Sequence, residues 1–594
     1  MAENNIVEEG KAAGEEISEA DSRTESEKPC ETEQSVDNPA KEADKAEESS
    51  ASDAESSVAE QKTPESGTQM ANPEIQTKVK RIGLAALVLS MGILCSRLLG
   101  FVRDAVIAYQ AGAGVQTDAY NAAFLLPDIM NHFLAGGTLS ITFIPLFSAY
   151  LLKNDTKKAE RLFSLIATTM GLLLLAAILV CGIFATPFVH WLFPKFSPDQ
   201  LAMTVEMTRI ILPGQLFHYL GALMMAVLMA RGEFLPSALS PLIYNSCIIL
   251  GGLLLGGTLG MEGFAIGAVV GAFLGPFLLP IGFLRHKLHY KPTVNFKDAD
   301  FKKYVYLTIP LILGVSLTTV DEWIGRVAGS YLGEGVISWL NYARRLVLVP
   351  IVLVGHAAGQ AALPYLSQLA AKNDFAEIAA TLNRTLKNVV ILSMVMMGFF
   401  FVLAEPMVSL LYERGQFTAA DTAQTAMALR ILTGSIVFWT IQMVTVRVYY
   451  AAQSTWMPMI LSTVATLASL PVYYFMSKLY GLPGLAAASC IGMAFQASIV
   501  VLFYRTRNAH FHPTTLLKYV LIGAVFCALS SAGSYAGLKL VSLIEIGSHT
   551  WRILLELAAG GILGSLLAAV AAFFIIPNEL KAMTSKIRRK LLRR

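Results

Sequence analysis

Signatures of covalent chemistry are missing from this chain. It has no Walker A loop, no HExxH, no GxSxG and no Cys/His pair at usable spacing. That leaves no sign of nucleotide hydrolysis or of hydrolytic catalysis, and the expectation is a protein that is not an enzyme. Cysteine is sparse: Cys30, Cys95, Cys181, Cys247, Cys490 and Cys527 are scattered, with no CxxC. The pattern argues against a disulfide framework and a zinc site, and suits small apolar packing residues. Charge is scarce as well, at 15% of 594 residues against 54% hydrophobic, with a mean hydropathy of +0.55. Soluble domains do not have this balance. A β-barrel would show short alternating segments, whereas apolar runs of about 20 residues recur here. The chain reads as an all-α polytopic membrane protein.

The net charge of +3 conceals two opposite parts. Residues 1–76 hold 21 Asp/Glu against 6 Lys/Arg, and residues 77–594 hold 22 against 40. The acidic stretch has no aromatic residue and too little apolar surface to fold, so it is expected to be a disordered tail. It does not begin with a basic then apolar leader pattern.

Hydropathy predicts fourteen spans, near 80–111, 117–152, 160–187, 201–230, 235–257, 263–284, 302–331, 335–370, 382–411, 420–450, 456–479, 482–504, 515–540 and 551–576. Loops after even-numbered spans are basic (KNDTKKAER, RHKLHYKPTVNFKDADFKK), as is the end KAMTSKIRRKLLRR, whereas those after odd-numbered spans carry few charges. By the positive-inside rule both termini are expected in the cytoplasm. The terminal basic run also suits anionic lipid.

The chain repeats itself. FIPLFSAYL (143–151) matches ALPYLSQLA (362–370), and FSPDQLAMTVEMTRIILPGQ pairs with FTAADTAQTAMALRILTGSI at an offset of about 219 to 222 residues. A repeat of six helices predicts two pseudo-symmetric lobes of like orientation around a central cavity, as in several transporters. The expected division is tail 1–76, first lobe 77–298, second lobe 299–510, two further helices over 511–578, and a basic tail 579–594.

Charges interrupt the spans where water is absent. Span 1 carries Arg97, Arg103 and Asp104 in SRLLGFVRDA; span 2 has Asp118, Asp128 and His132; span 7 has Asp321, Glu322 and Arg326; span 8 has Arg344, Arg345 and His356. An arginine at mid-membrane costs several kcal/mol, so it faces a wet cavity or a partner. Spans 1, 2, 7 and 8 are the first and second helices of each repeat, which places their charges at the interface between lobes. Helical spacing sets Arg97 and Arg103 about 120° apart, and Gly100 is a candidate bend that would turn both to one cavity. Gly136 and Gly137 are candidate hinges in span 2. The excess of arginine predicts a positive cavity for an anion, since the guanidinium fork suits phosphate. Structural readings remain beside this one: Arg103 and Asp104 as a simple pair, Arg344 and Arg345 snorkelling to an interface. Asp321 is the candidate for a coupling cation, but spans 11 and 12 add no second acid. No metal site, cofactor or nucleic-acid partner is expected, which leaves the substrate gradient, the membrane potential or a coupled cation as the energy source.

Motifs in order along the chain carry a resemblance. SRLLGFVRDAVIAYQAGAGVQTDAYNAAFLLPDI, YARRLVLVP (342–350) and LLYERGQFTAADT (410–422) resemble the opening, the span-8 signature and the L-[FY]-x-R-G-x-F-T motif of the MurJ (MviN) lipid II flippases of the MOP exporter superfamily. The resemblance covers roughly residues 77–510. It implies a V-shaped, MATE-like flippase that moves undecaprenyl-pyrophosphate-linked peptidoglycan precursor across the bacterial inner membrane, and with it a role in cell-wall synthesis and cell shape. It carries substrate contacts onto Arg97, Arg103, Asp104, Asp118 and Arg345, with Arg326, Arg344 and His132 as further candidates, and a groove for the lipid tail onto 511–578. Lipid II, membrane lipids and the cell-wall synthesis machinery would be the partners. One departure stands out: members carry L-x-R-R-x-x-A-E-G in span 2, where this chain has IMNHFLAGGT, with Asn131, His132 and Gly136 at those places. Two alternatives therefore stay open, a MOP-type exporter of another polyprenyl-linked saccharide and a cation-coupled multidrug exporter.

Overall fold

The structure, a computed structural model, describes residues 73–134, 142–313, 317–454, 456–545 and 547–575. All of these but Pro73 fall in one compact unit, Glu74–Arg594. The proposed hinges Gly136 and Gly137, residues 1–72 of the acidic tail and the basic tail 579–594 lie outside the described residues. Every regular element described is helical.

In the first half, α1 (Pro73–Ala111), α2 (Val115–Ala123), α3 (Leu125–Leu134) and α4 (Ile144–Leu152) are followed by α5 (Thr156–Ile183), α6 (Ala185–Leu192), α7 (Pro198–Ile211) and α8 (Gly214–Ala230). Then come α9 (Leu235–Leu259), α10 (Met261–Ala272) and, after a wider π turn, α11 (Leu279–Leu284). The second half runs α12 (Ala299–Leu313), α13 (Leu317–Gly329), α14 (Val336–Pro350), α15 (Ala357–Ala371), α16 (Phe375–Val402), α17 (Ala404–Tyr412), α18 (Ala419–Leu432), α19 (Ser435–Ala451) and α20 (Trp456–Arg507). Two helices close the chain, α21 (Pro513–Ser542) and α22 (His549–Ile575).

Among the described residues nine helical segments are long and apolar enough to cross a membrane, or ten with the bent α18–α19 pair. Hydropathy suggested fourteen, and the difference has physical sources. The 52-residue α20 holds two apolar segments in one element, and the segments near 80–111, 117–152 and 302–331 are those with interior charge or with positions outside the described residues. A proline begins α1, where its missing N–H costs nothing, four residues ahead of the expected boundary. The helix then runs through Gly100 without a break, so the expected bend is not observed; a Cβ there would meet nothing within 4 Å.

The internal duplication is visible in local structure. Helices α5 and α16 have 28 residues each, α7 and α18 have 14, and α8 and α19 have 17. Both α5 and α16 start from an Asp cap, Asp155 accepting from the Lys158 amide and Asp374 from that of Glu377. Each cap is preceded by an asparagine in the left-handed region, Asn154 at φ 56° and Asn373 at φ 54°, which asparagine tolerates best among non-glycine residues. Gly260 (φ 57°, ψ −131°) and Gly481 (φ 59°, ψ −135°) form the third matching pair, in backbone that only glycine adopts easily. Gly481→Ala is therefore expected to lower stability by about 1–3 kcal/mol through strain alone, since a Cβ there meets no neighbour within 4 Å. The thermal midpoint of the purified protein measures it; an unchanged midpoint would contradict this account.

Helix α21 lies on α16, and α22 lies on α21. Small residues allow the close approach: a Cβ on Gly537 would meet the Gly560 amide at 2.5 Å, and one on Gly533 the Leu563 carbonyl oxygen at 2.6 Å. Without a hydrophobic gain between helices in lipid, such backbone proximity supplies the attraction.

Candidate functional site

A cavity of about 240 Å³ lies between the halves, walled by α1, α2, α3 and α9 on one side and α13 and α14 on the other. Adjacent residues on a helix point about 100° apart, so Arg103 folds back to reach Asp104. Its Nε and Nη2 both donate to Asp104 Oδ1, at 2.9 and 2.7 Å, and its Nη1 donates to Asn245 Oδ1 at 3.0 Å. The second oxygen, Asp104 Oδ2, lies 3.5 Å from Arg345 Nε across the interface. Also across the interface, Arg326 Nη1 donates to Asp128 Oδ2 at 2.6 Å, with Glu322 3.9 Å from Arg326 Nη2.

The lining thus carries three guanidiniums, of Arg103, Arg326 and Arg345, against three carboxylates, of Asp104, Asp128 and Glu322. This corrects the expectation of a positive cavity. An unpaired buried charge is expensive, and pairing removes that cost while the cavity is empty. The three arginines are not equal. The side chains of Arg103 and Arg326 are 16% exposed, that of Arg345 is 42% exposed, and Arg345 Nε has no hydrogen bond. Of the three, Arg345 is the most exposed and the most loosely held.

Neighbouring side chains diverge. Arg344 turns away from the cavity and sits 3.0 Å from Asp321 Oδ2, while the hydroxyls of Tyr473 and Ser489 donate to Oδ1, the latter at 2.6 Å. The carboxylate considered for a coupling cation therefore already holds a guanidinium. A Cβ on Gly325 would lie 2.3 Å from Arg344 Nη1, so glycine gives that side chain its route. Arg97 is exposed and outside the cavity lining, so the two span-1 arginines do not converge. His132 meets Trp323 edge to face, with centroids 5.5 Å apart. Span 2, which lacks the family's two arginines, is contacted instead by Arg326 through Asp128, whereas Arg344 bonds to Asp321.

Asp118 lies outside the lining as well. Its Oδ2 accepts the Gly335 amide at 2.6 Å, and its Oδ1 accepts the Ser338 amide and hydroxyl at 2.8 and 2.6 Å. Those donors are the otherwise unpaired amides at the start of α14, where a carboxylate is favoured. The clamp belongs to a closed end of the bundle formed by the Gly112 and Gly335 turns. There the Gln416 amide donates to the Tyr109 carbonyl at 3.0 Å and the Tyr342 hydroxyl to that of Gly112 at 3.3 Å. Gly112 has φ +62°, and a Cβ would stand 2.6 Å from the Gln416 carbonyl oxygen. Gly112→Ala is expected to wedge this end apart, straining it by ~1–2 kcal/mol. Labelling of a cysteine at Asn121 by an impermeant thiol reagent, with native cysteines replaced, should rise accordingly; unchanged labelling would refute it.

Several site residues carry no charge and were missed in the sequence: Asn245, Tyr120, Tyr244, Ser338, and the pair Asn121 and Asn341. Asn341 Nδ2 donates to Asn121 Oδ1 at 2.9 Å. These two are 220 residues apart, the spacing of the repeat, and polar residues recurring at that spacing were the signal available.

Comparison with known proteins gives a consistent picture. The family model described as "Lipid II flippase MurJ" matches residues 107–555. A "Probable lipid II flippase MurJ" of Vibrio cholerae is 27% identical over 81% of this chain and 97% of its own length. One from Bdellovibrio bacteriovorus is 26% identical over 86% and 97%. Among solved structures, "Lipid II flippase MurJ, inward closed conformation" superposes with a TM-score of 0.68 at 22% identity, over 82% of this chain and 100% of that one. An inward-facing MATE transporter of the MOP superfamily reaches 0.60 at 17% identity, over 72% and 98%.

Proposed function

The chain belongs to the lipid II flippase MurJ family, and from that premise we propose that it translocates lipid II between the leaflets of a bacterial inner membrane. The family match over residues 107–555 carries the reading. In it, fourteen crossings form two six-helix lobes plus the α21–α22 hairpin, which guides the polyprenyl tail. Both termini and the basic loops face the cytoplasm. The closed end around Gly112 and Gly335 is then the outer end, and the cargo enters from inside.

The charge pairing supports a defined binding step. Arg345 makes only the longer contact to Asp104, while Arg103 makes the shorter two. An incoming diphosphate takes Arg345 from Asp104, and Arg103 keeps that carboxylate neutralised. With the cavity arginines paired to carboxylates, the empty carrier meanwhile reorients at lower cost. Asn121 and Asn341, equivalent in the repeat and bonded to one another, suit a place near the pseudo-two-fold axis relating the lobes, since only residues near such an axis meet their own counterparts. Asn131 and His132, in place of two arginines, favour a second reading in which the headgroup is a different polyprenyl-linked saccharide.

The test is rescue of bacteria depleted of their own lipid II flippase. Growth restored by this chain, with labelled lipid II appearing in the outer leaflet, is the expected result. Correct insertion without rescue would reject lipid II as cargo and leave the second reading.

A further inference from the structure

The first half carries a groove whose counterpart in the second half is covered by α21. The first-half groove has a volume of about 500 Å³, is floored by α8 and walled by α5 and α11, and is almost wholly apolar. The α5 wall runs from Phe163 to Leu175, about 18 Å at 1.5 Å per residue, a little over half the ~30 Å hydrocarbon thickness. The groove is therefore one leaflet deep.

The duplication shows what such a place requires. At the repeat spacing of 219 seen in the Asn154 and Asn373 turns, the groove residues Gly171, Leu172 and Leu175 correspond to Val390, Ile391 and Met394. In the second half these are covered by α21, an element outside the repeat: a Cβ on Gly523 would lie 2.7 Å from Met394 and 3.6 Å from Val390, and Ile391 packs with Phe526. Among the described residues the first half has no such helix, and Leu172 is 53% exposed. Glycine at 171 in place of valine deepens the gap.

The rim at the basic-loop end is built and charged. Segment 285–293 is strapped across α5: the Lys291 amide donates to Ser164 Oγ at 3.1 Å, and the Tyr290 and Thr168 hydroxyls lie 2.9 Å apart. On this strap the neighbours of Arg285 are paired, Lys287 with Glu233 at 2.7 Å and His289 with Glu160 at 3.0 Å. Arg285 itself lines the groove and, among the described residues, has no acidic partner. A free guanidinium above a leaflet-deep apolar slot matches a phosphate above an acyl chain. A partner's membrane helix would bring its own basic flank to that rim and meet Arg285 with like charge.

We propose that this groove is a binding site for one glycerophospholipid of the leaflet at the basic-loop end, its acyl chain between α5 and α11 and its phosphate on Arg285. The lipid fills on the first half the space that α21 fills on the second. Its position outside the central cavity makes it independent of the cargo.

The full-length protein, reconstituted in phosphatidylethanolamine and phosphatidylglycerol vesicles and re-extracted in mild detergent, is weighed by native mass spectrometry. One retained phospholipid per chain is expected. Gly171→Phe should fill the slot, and Arg285→Ala should remove the phosphate contact, each lowering retention roughly tenfold. Lipid stripping should lower the thermal midpoint of the wild type, with recovery on adding phosphatidylglycerol, and should leave that of Gly171→Phe unmoved. Retention unaffected by both variants would mean only bulk annular lipid and overturn the proposal. So would displacement of the phospholipid by a polyprenyl diphosphate, or photocrosslinking from Leu172 that captures a protein helix in native membranes. Should Gly171→Phe fail to insert, Arg285→Ala decides alone.

Discussion

Arg345→Ala is expected to abolish rescue and lipid II translocation while leaving the protein folded. The side chain is 42% exposed and its contact to Asp104 spans 3.5 Å, so its removal disturbs little in the empty state. What it removes is the most exposed and most loosely held guanidinium of the cavity. Two charge-assisted hydrogen bonds to a diphosphate are each worth roughly 1.5–3 kcal/mol, so headgroup affinity should fall by about 10²-fold or more. Arg345→Lys should recover only part of it, because an ammonium keeps the charge and loses the paired donors. Affinity for the lipid-linked diphosphate, measured beside the thermal midpoint, separates binding from folding. Wild-type binding by Arg345→Ala would exclude the exchange of Arg345 from Asp104 to cargo.

Asp321→Leu carries the largest expected effect on stability. The Asp321 and Arg344 side chains are 7% and 13% exposed, and the carboxylate also accepts from Tyr473 and Ser489. Removing the acid strands a buried guanidinium and two hydroxyls, at a cost of about 3–5 kcal/mol. The double variant Asp321→Leu with Arg344→Met should regain most of that loss, since no unpaired charge remains and the shapes are roughly kept. Thermal midpoints of the three proteins provide the measurement. Equal losses in single and double variants would show that Asp321 is held by something other than Arg344, and would return it to candidacy as a cation ligand.

Much of this protein is written locally. Composition alone marks a multi-pass membrane chain, and the apolar segments coincide with helices from α1 to α22 because a hydrophobic run in lipid must satisfy its backbone within itself. The repeat was legible too, although its Asp caps and paired glycine turns emerged only with the structure. Concentration of charge in spans 1, 2, 7 and 8 pointed to an interface, and Arg103, Asp104, Arg326 and Arg345 do meet there. The direction of each side chain was not legible. Arg344 and Arg345 are adjacent, yet one faces Asp321 and the other the cavity. Asp118 reads as one more interior acid until the start of α14 is seen against it.

The sequence by itself determined the membrane class, the helical character and the duplication, and it named candidate residues for an anion, because each follows from spacing and composition along the chain. Only the tertiary structure decided that those charges are mutually neutralised, that Arg345 is the most exposed and most loosely held arginine of the cavity, and that one repeat leaves a groove where the other carries α21. The partners concerned lie far apart along the chain, Asp104 and Arg345 as well as Asp118 and Gly335. A charge is free or spent according to which helix packs across from it, and that choice is made by the fold as a whole.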